Sequence, residues 1–163
     1  AGMSVGSLYR YFPNKQAILY ELYKRWLAEV REGLTVFRDS IAPDEPTESI
    51  EERMFSSVYG DINGELDFSD LDVELGKAMQ LYPELQEMDR LHGLKIAELL
   101  RDIFKLAGAV GDDVQLLQLG SYLYAANDSL HGAVEAGVPI VKALQWHRQA
   151  VRAVLAPYLR PVQ

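Results

Sequence analysis

Ser4, Gly6, Tyr9, Arg10, Tyr11, Asn14 and Lys15 stand close together in the run Ser4-Val5-Gly6-Ser7-Leu8-Tyr9-Arg10-Tyr11-Phe12-Pro13-Asn14-Lys15. Their types suit contact with a polyanion. The Ser4 hydroxyl can accept from the exposed amides of a first helical turn. Leu8 and Phe12, four apart, form one apolar stripe. Val5, Gly6, Tyr9 and Arg10 fall on another face, small at its N-terminal end and carrying a phenol and a guanidinium further along. Pro13 stops the helix, and Asn14 can cap the next. Lys15 then sits in a first turn, where a carboxylate would be electrostatically preferred, so a cation there points to an anionic partner such as a phosphate. The segment reads as the second half of a helix-turn-helix.

This pattern, Ser-x-Gly-Ser/Thr-Leu-Tyr-x-Tyr-Phe-x-Asn/Ser-Lys, resembles the recognition-helix signature of the TetR family of bacterial transcriptional repressors. The resemblance implies an all-α homodimer whose N-terminal three-helix domain enters the major groove and whose larger C-terminal domain binds an inducer. By position, Gly6, Ser7, Tyr9, Arg10 and Tyr11 match groove and phosphate contacts, and Lys15 matches a phosphate contact. Leu8 and Phe12 match core positions. Val5 departs from the Lys that many members carry, which weakens one expected phosphate contact and leaves room for apolar contact with a thymine methyl. The resemblance covers about a tenth of the chain, and it places two further helices ahead of Ala1. Residues 1–20 are therefore expected to be the C-terminal remnant of a DNA-binding domain, and residues 21–163 a ligand-binding and dimerisation domain.

Charge divides the chain in the same way. Arg10, Lys15, Lys24, Arg25 and Arg31 against Glu21 and Glu29 give residues 1–31 a charge of +3, and the total of −8 leaves −11 for the remainder. So acidic a body repels nucleic acid, so any DNA contact belongs to the N-terminal end.

The elements behind the motif read as helices. Over residues 14–40, Ile18, Leu22, Trp26, Val30, Leu34, Phe37 and Ile41 recur every three or four positions. Ala42–Thr47 is a loop by composition, and Thr47 or Ser49 is a candidate cap for a helix carrying Ile50, Met54, Val58 and Ile62. After an irregular stretch over 60–70, Leu71, Leu75 and Met79 suggest a short helix. Pro83 fits the first turn of a long one with Leu85, Met88, Leu91, Ile96, Leu99, Ile103 and Leu106, ended by Gly108 or Gly111. Asp112 or Asp113 caps a helix over roughly 113–136 that is apolar nearly all round, and Gly137 closes it. Pro139 starts the last helix, with Ile140, Leu144, His147, Val151, Val154, Leu155 and Tyr158 on one side. No strand pattern occurs. The predicted fold is an all-α, TetR-like bundle. The helices near 113–136 and 139–159 are expected to form a two-fold interface, with Gly120, Ala125, Ala126, Gly132 and Ala133 permitting close approach.

Other chemistry finds little footing. Asp61-x-Asn63-Gly64-Glu65-x-Asp67 has oxygen donors, but Leu66 stands where a calcium loop needs Gly, which leaves an acidic turn. Asp70, Asp72 and Glu74 scatter around a helix. His92, His131 and His147 are far apart, and the His131/Glu135 pair is an ordinary local spacing. No metal, no cofactor and no catalytic residues are assigned, and an enzyme is not expected. With no cysteine, disulfides and thiolate metal sites are excluded. No apolar run approaches the ~20 residues of a membrane span, and no signal peptide is visible, so no membrane partner and a soluble, cytoplasmic protein are expected.

The expected function is a ligand-responsive transcriptional regulator, a repressor that a small apolar inducer releases from operator DNA. The alternative is a stand-alone dimeric helical module that binds small molecules and never contacts DNA. For the inducer, Phe55, Tyr59, Met79, His92, Tyr122, Asn127 and Trp146 supply aromatic walls, a flexible sulfur and polar handles. Among them His92 and Asn127 need partners if buried.

Overall fold

The computed structural model describes residues 15–59 and 81–159. Within them all regular structure is helical: α1 (Lys15–Asp39), α2 (Thr47–Tyr59), α3 (Pro83–Leu106), α4 (Asp113–Glu135) and α5 (Ile140–Leu155). The motif residues Gly6, Ser7, Tyr9, Arg10 and Tyr11, the acidic stretch from Asp61 to Glu74, and Met79 lie outside the described residues. So do the side chains of Lys15, Tyr59 and His131. No described helix is long and apolar enough to cross a membrane.

The stops and starts follow local chemistry. Pro83 opens α3, where a missing N–H costs no helical bond. Beyond its end, Gly108 adopts φ +74°, the left-handed conformation that glycine takes without a Cβ penalty. Asp112 then caps α4 reciprocally: its carboxylate accepts from the Gln115 amide at 2.8 Å, and its own amide donates to the Gln115 side-chain oxygen at 3.0 Å. The two candidate caps of α2 are engaged elsewhere. The Thr47 hydroxyl donates to the Ala107 carbonyl at 3.0 Å, and the Ser49 hydroxyl donates to Glu45 at 2.8 Å.

α3 packs against α4 and α1, α5 lies on α4, and α2 lies on α1. The main core gathers Leu34 and Phe37 from α1, Ile50 and Met54 from α2, Ile96 and Phe104 from α3, Leu119 and Leu123 from α4, and Val151 and Leu155 from α5. A second apolar cluster joins Leu19, Tyr23 and Leu27 of α1 to Leu85 of α3. Two glycines set the α3–α4 approach. A Cβ on Gly120 would meet the Ala97 carbonyl oxygen at 2.7 Å, and one on Gly93 would meet the Tyr124 ring at 2.7 Å. Gly120, expected at an interface between chains, is thus used within the chain.

The buried stripes of α1 and α3 differ from those expected. α1 buries Leu19, Tyr23, Leu27, Leu34 and Phe37 and leaves Trp26 44% exposed. The run 19, 23, 27, 30, 34, 37 averages the 3.6 residues of a helical turn, whereas repeated steps of four from Ile18 drift around the helix. α3 leaves Leu91 and Leu106 half-exposed and buries His92, Gly93, Ala97, Leu100 and Phe104, because α1 and α4 cover it on two sides.

Candidate functional site

Where α1, α3 and α4 meet, four polar side chains interrupt the apolar packing. Asp89 and His92 are one turn apart on α3, and Gly93 follows. Tyr23 reaches over from α1 and Tyr124 from α4. Both phenols donate to the same oxygen, Oδ1 of Asp89, each at 2.6 Å. The Tyr124 ring rests where a Gly93 side chain would be. It meets the His92 ring edge-on at 5.7 Å between centroids. Trp26 stacks on Tyr23 at 5.7 Å and carries the aromatic surface outward. The cluster therefore sits between the Leu19–Leu27–Leu85 cluster and the main core.

The electrostatics keep three of these groups neutral. Burial first, and then the bonded Asp89 carboxylate, push the Tyr23 and Tyr124 phenols well above the usual tyrosine range, with Asp128 adding to the effect on both. They remain donors at every physiological pH. His92 is 2% exposed. Burial first, and then the positive charge of Arg31, lower its pKa to about 4 against the opposing pull of Asp89, so the imidazole is neutral at pH 7. Its Nδ1 is buried with no hydrogen-bond partner among the described residues. A buried polar atom of this kind costs roughly 1–3 kcal/mol until something pairs with it.

Around the junction Asp128 is exposed, Asp89 and Asn127 are half-buried and His92 is buried. It can hold the polar group of a small molecule: one open hydrogen-bonding position beside a carboxylate already satisfied from two sides, within aromatic and aliphatic walls. Among the described residues no group of three or more His, Cys, Asp or Glu side chains is placed to hold a metal ion.

Of the residues expected to line a ligand site, His92 belongs to this junction, and Asn127 lies one turn beyond Tyr124. Phe55 is buried in the main core, with the Arg148 guanidinium 5.2 Å from its ring centroid. Tyr122 and Trp146 are 58% and 51% exposed, and Lys142 lies 4.9 Å from the Trp146 ring. These three therefore do not converge on His92. Tyr23 and Asp89 were not foreseen. The signal for Asp89 was present in Asp89-x-x-His92-Gly93, which puts a carboxylate, an imidazole and a bare backbone on the face of α3 that also carries Leu85 and Ile96.

A concavity of about 420 Å³ opens elsewhere, between α1 and α2 beside Gly33, Phe37 and Arg53. Its cation is already committed. Arg53 donates to Glu45 and to the Ser40 hydroxyl at 2.6 Å and lies 5.3 Å from the Phe37 ring centroid. Glu45, held below the usual carboxylate range chiefly by that hydrogen bond, completes a local ion pair rather than a receptor.

No family model, curated protein or solved structure matches the chain.

Proposed function

We infer that the chain is a TetR-like, ligand-responsive transcriptional regulator of the cytoplasm. It acts as a repressor, and a small, largely apolar inducer releases it from operator DNA. Residues 4–15 supply the groove-reading end, with Gly6, Ser7, Tyr9, Arg10, Tyr11 and Lys15 facing DNA. The helical body senses the inducer and pairs with a second copy.

One observation carries this reading. α1 begins at Lys15, directly behind the groove-reading segment, and its Tyr23 donates to the same Asp89 oxygen as Tyr124 of α4. The helix that abuts the motif is thus hydrogen-bonded into the polar junction of the body. An occupant that draws Asp89 or Tyr124 away loosens α1 at Tyr23. α1 then tilts, and two recognition helices lose the ~34–36 Å spacing that matches successive major grooves. A coupling of a few kcal/mol suffices, since each 1.4 kcal/mol is tenfold in affinity.

Pairing through α4 and α5 is supported by what those helices leave uncovered. Val114 and Tyr122 of α4, and Val141 and Trp146 of α5, are large apolar side chains 47–62% exposed in the single chain. A two-fold interface covers both sets at once.

The −11 charge outside residues 1–31 favours one other reading, a dimeric small-molecule-binding module that never meets DNA. Salt dependence of duplex binding by the full-length polypeptide separates the two. The repressor binds duplex with an affinity that falls steeply with salt. Arg10→Ala and Lys15→Ala each then reduce the slope of log K against log salt by about one. A full-length chain that binds no duplex at low salt leaves the module.

A further inference from the structure

His92 presents an unusual combination. It is 2% exposed, its neutral ring carries an Nδ1 with no partner among the described residues, and the ring stands one helical turn from the Asp89 carboxylate that both phenols share. Native proteins rarely leave such an atom unpaired without an ordered water, a ligand or a functional reason. Its neighbours restrict what can pair with it. Asp89 and Asp128 repel an anion. Arg31, close enough to oppose protonation of His92, repels a cation arriving at that ring. Both phenols already donate to Asp89 Oδ1, so that oxygen is engaged. The neighbouring packing is apolar: Leu27 and Leu85 belong to one core cluster, Ile96 and Leu123 to the other, and the Tyr124 ring meets His92 edge-on.

From the buried, unpaired Nδ1 and these walls we propose that His92 anchors a binding site for a neutral, hydroxyl-bearing hydrophobic molecule, whose O–H pairs with Nδ1 while its apolar body lies between the two core clusters. This deepens the regulator reading and rests on it: the inducer is an alcohol or phenol rather than an amine, a carboxylate or a plain hydrocarbon. The molecule enters along the Asp128–Asp89 side and displaces the Tyr124 ring from its seat on Gly93. That movement disturbs the Asp89 hydrogen bond shared with α1.

Four probes of one shape test the inference: 2-phenylethanol, ethylbenzene, phenethylammonium and phenylacetate, titrated into the full-length chain by calorimetry at pH 7. The alcohol is expected to bind at least about tenfold more tightly than ethylbenzene, the scale set by satisfying one buried polar atom. Both ions bind more weakly than the alcohol. His92→Phe, which keeps a flat ring and removes the nitrogens, abolishes the preference for the alcohol over ethylbenzene. Because that variant can lose its fold, a second measurement uses the unmodified protein with ¹⁵N-labelled histidine. The His92 Nδ1 resonance moves on adding 2-phenylethanol and stays in place with ethylbenzene. The inference is overturned if an ion outbinds the alcohol, if folded His92→Phe keeps the alcohol preference, if the Nδ1 resonance is unmoved, or if the alcohol does not bind up to its solubility limit. None of these outcomes touches duplex binding by the ligand-free protein, so failure here and failure of the regulator reading are read separately.

Discussion

Replacing His92 with leucine should flatten the acid limb of the protein's stability. The imidazole has a pKa of about 4 in the fold and about 6.5 in an unfolded chain. A depressed folded value means that the unfolded state takes up the proton first. Stability attributable to the neutral ring is therefore complete above pH 6.5 and is lost as the pH falls from there toward 4. The groups facing the ring are Asp89 on its own helix, Arg31 from α1 and Tyr124 from α4. Burial and Arg31 oppose the charge, and Asp89 favours it. Between about pH 7.5 and pH 4.5 the wild type should lose about 2.5 kcal/mol that His92→Leu does not lose. Urea denaturation followed by far-UV circular dichroism at several pH values measures both proteins with an unchanged m-value. The rest of the sequence is common to the two, so the difference between the curves reports on position 92. At neutral pH the variant should be at least as stable as the wild type, since an unpaired buried nitrogen is exchanged for apolar atoms. Parallel stability curves, or a wild type that keeps its stability to pH 4.5 while the variant loses it, refute the reasoning.

Further outcomes follow from the hydrogen bonds and the packing. Tyr23→Phe and Tyr124→Phe each remove one charge-assisted hydrogen bond to Asp89 and should each cost about 1.5–3 kcal/mol. The double variant costs more than their sum, because the half-buried carboxylate then loses both phenolic donors; strict additivity in a double-mutant cycle argues against a shared acceptor. Gly120→Ala should destabilise by about 1–3 kcal/mol, since its Cβ meets the Ala97 backbone oxygen at 2.7 Å. Gly33→Ala, with nothing within 4 Å of the added atom, should stabilise by about 0.5–1 kcal/mol, and thermal unfolding distinguishes the two signs.

The helices were legible because their punctuation is local. Pro83, Gly108, Asp112 and Gly137 act through their own backbone or the adjoining turn, and the observed ends of α3 and α4 fall beside them. Which face of each helix is buried was harder to read. In α1 the expected Ile18–Trp26 series and the observed Leu19–Tyr23–Leu27 series lie side by side, and only the partner helix selects one. The polar junction was least legible. Tyr23 and Asp89 are 66 residues apart, and no periodicity announces a hydrogen bond between two helices. His92 was visible as a polar residue in an apolar helix that needs a partner if buried. The structure places it deep in the packing, with no partner for Nδ1 among the described residues.

The central claim is that residues 4–15 read DNA and that the body behind them controls that reading. Its most direct measurement is selection of genomic duplex fragments by the full-length polypeptide at low salt, followed by footprinting of what is retained. The account predicts one class of site with two protected half-sites a helical turn apart, lost on Arg10→Ala with Tyr11→Ala. Retention of no duplex, or retention indifferent to those substitutions, contradicts it.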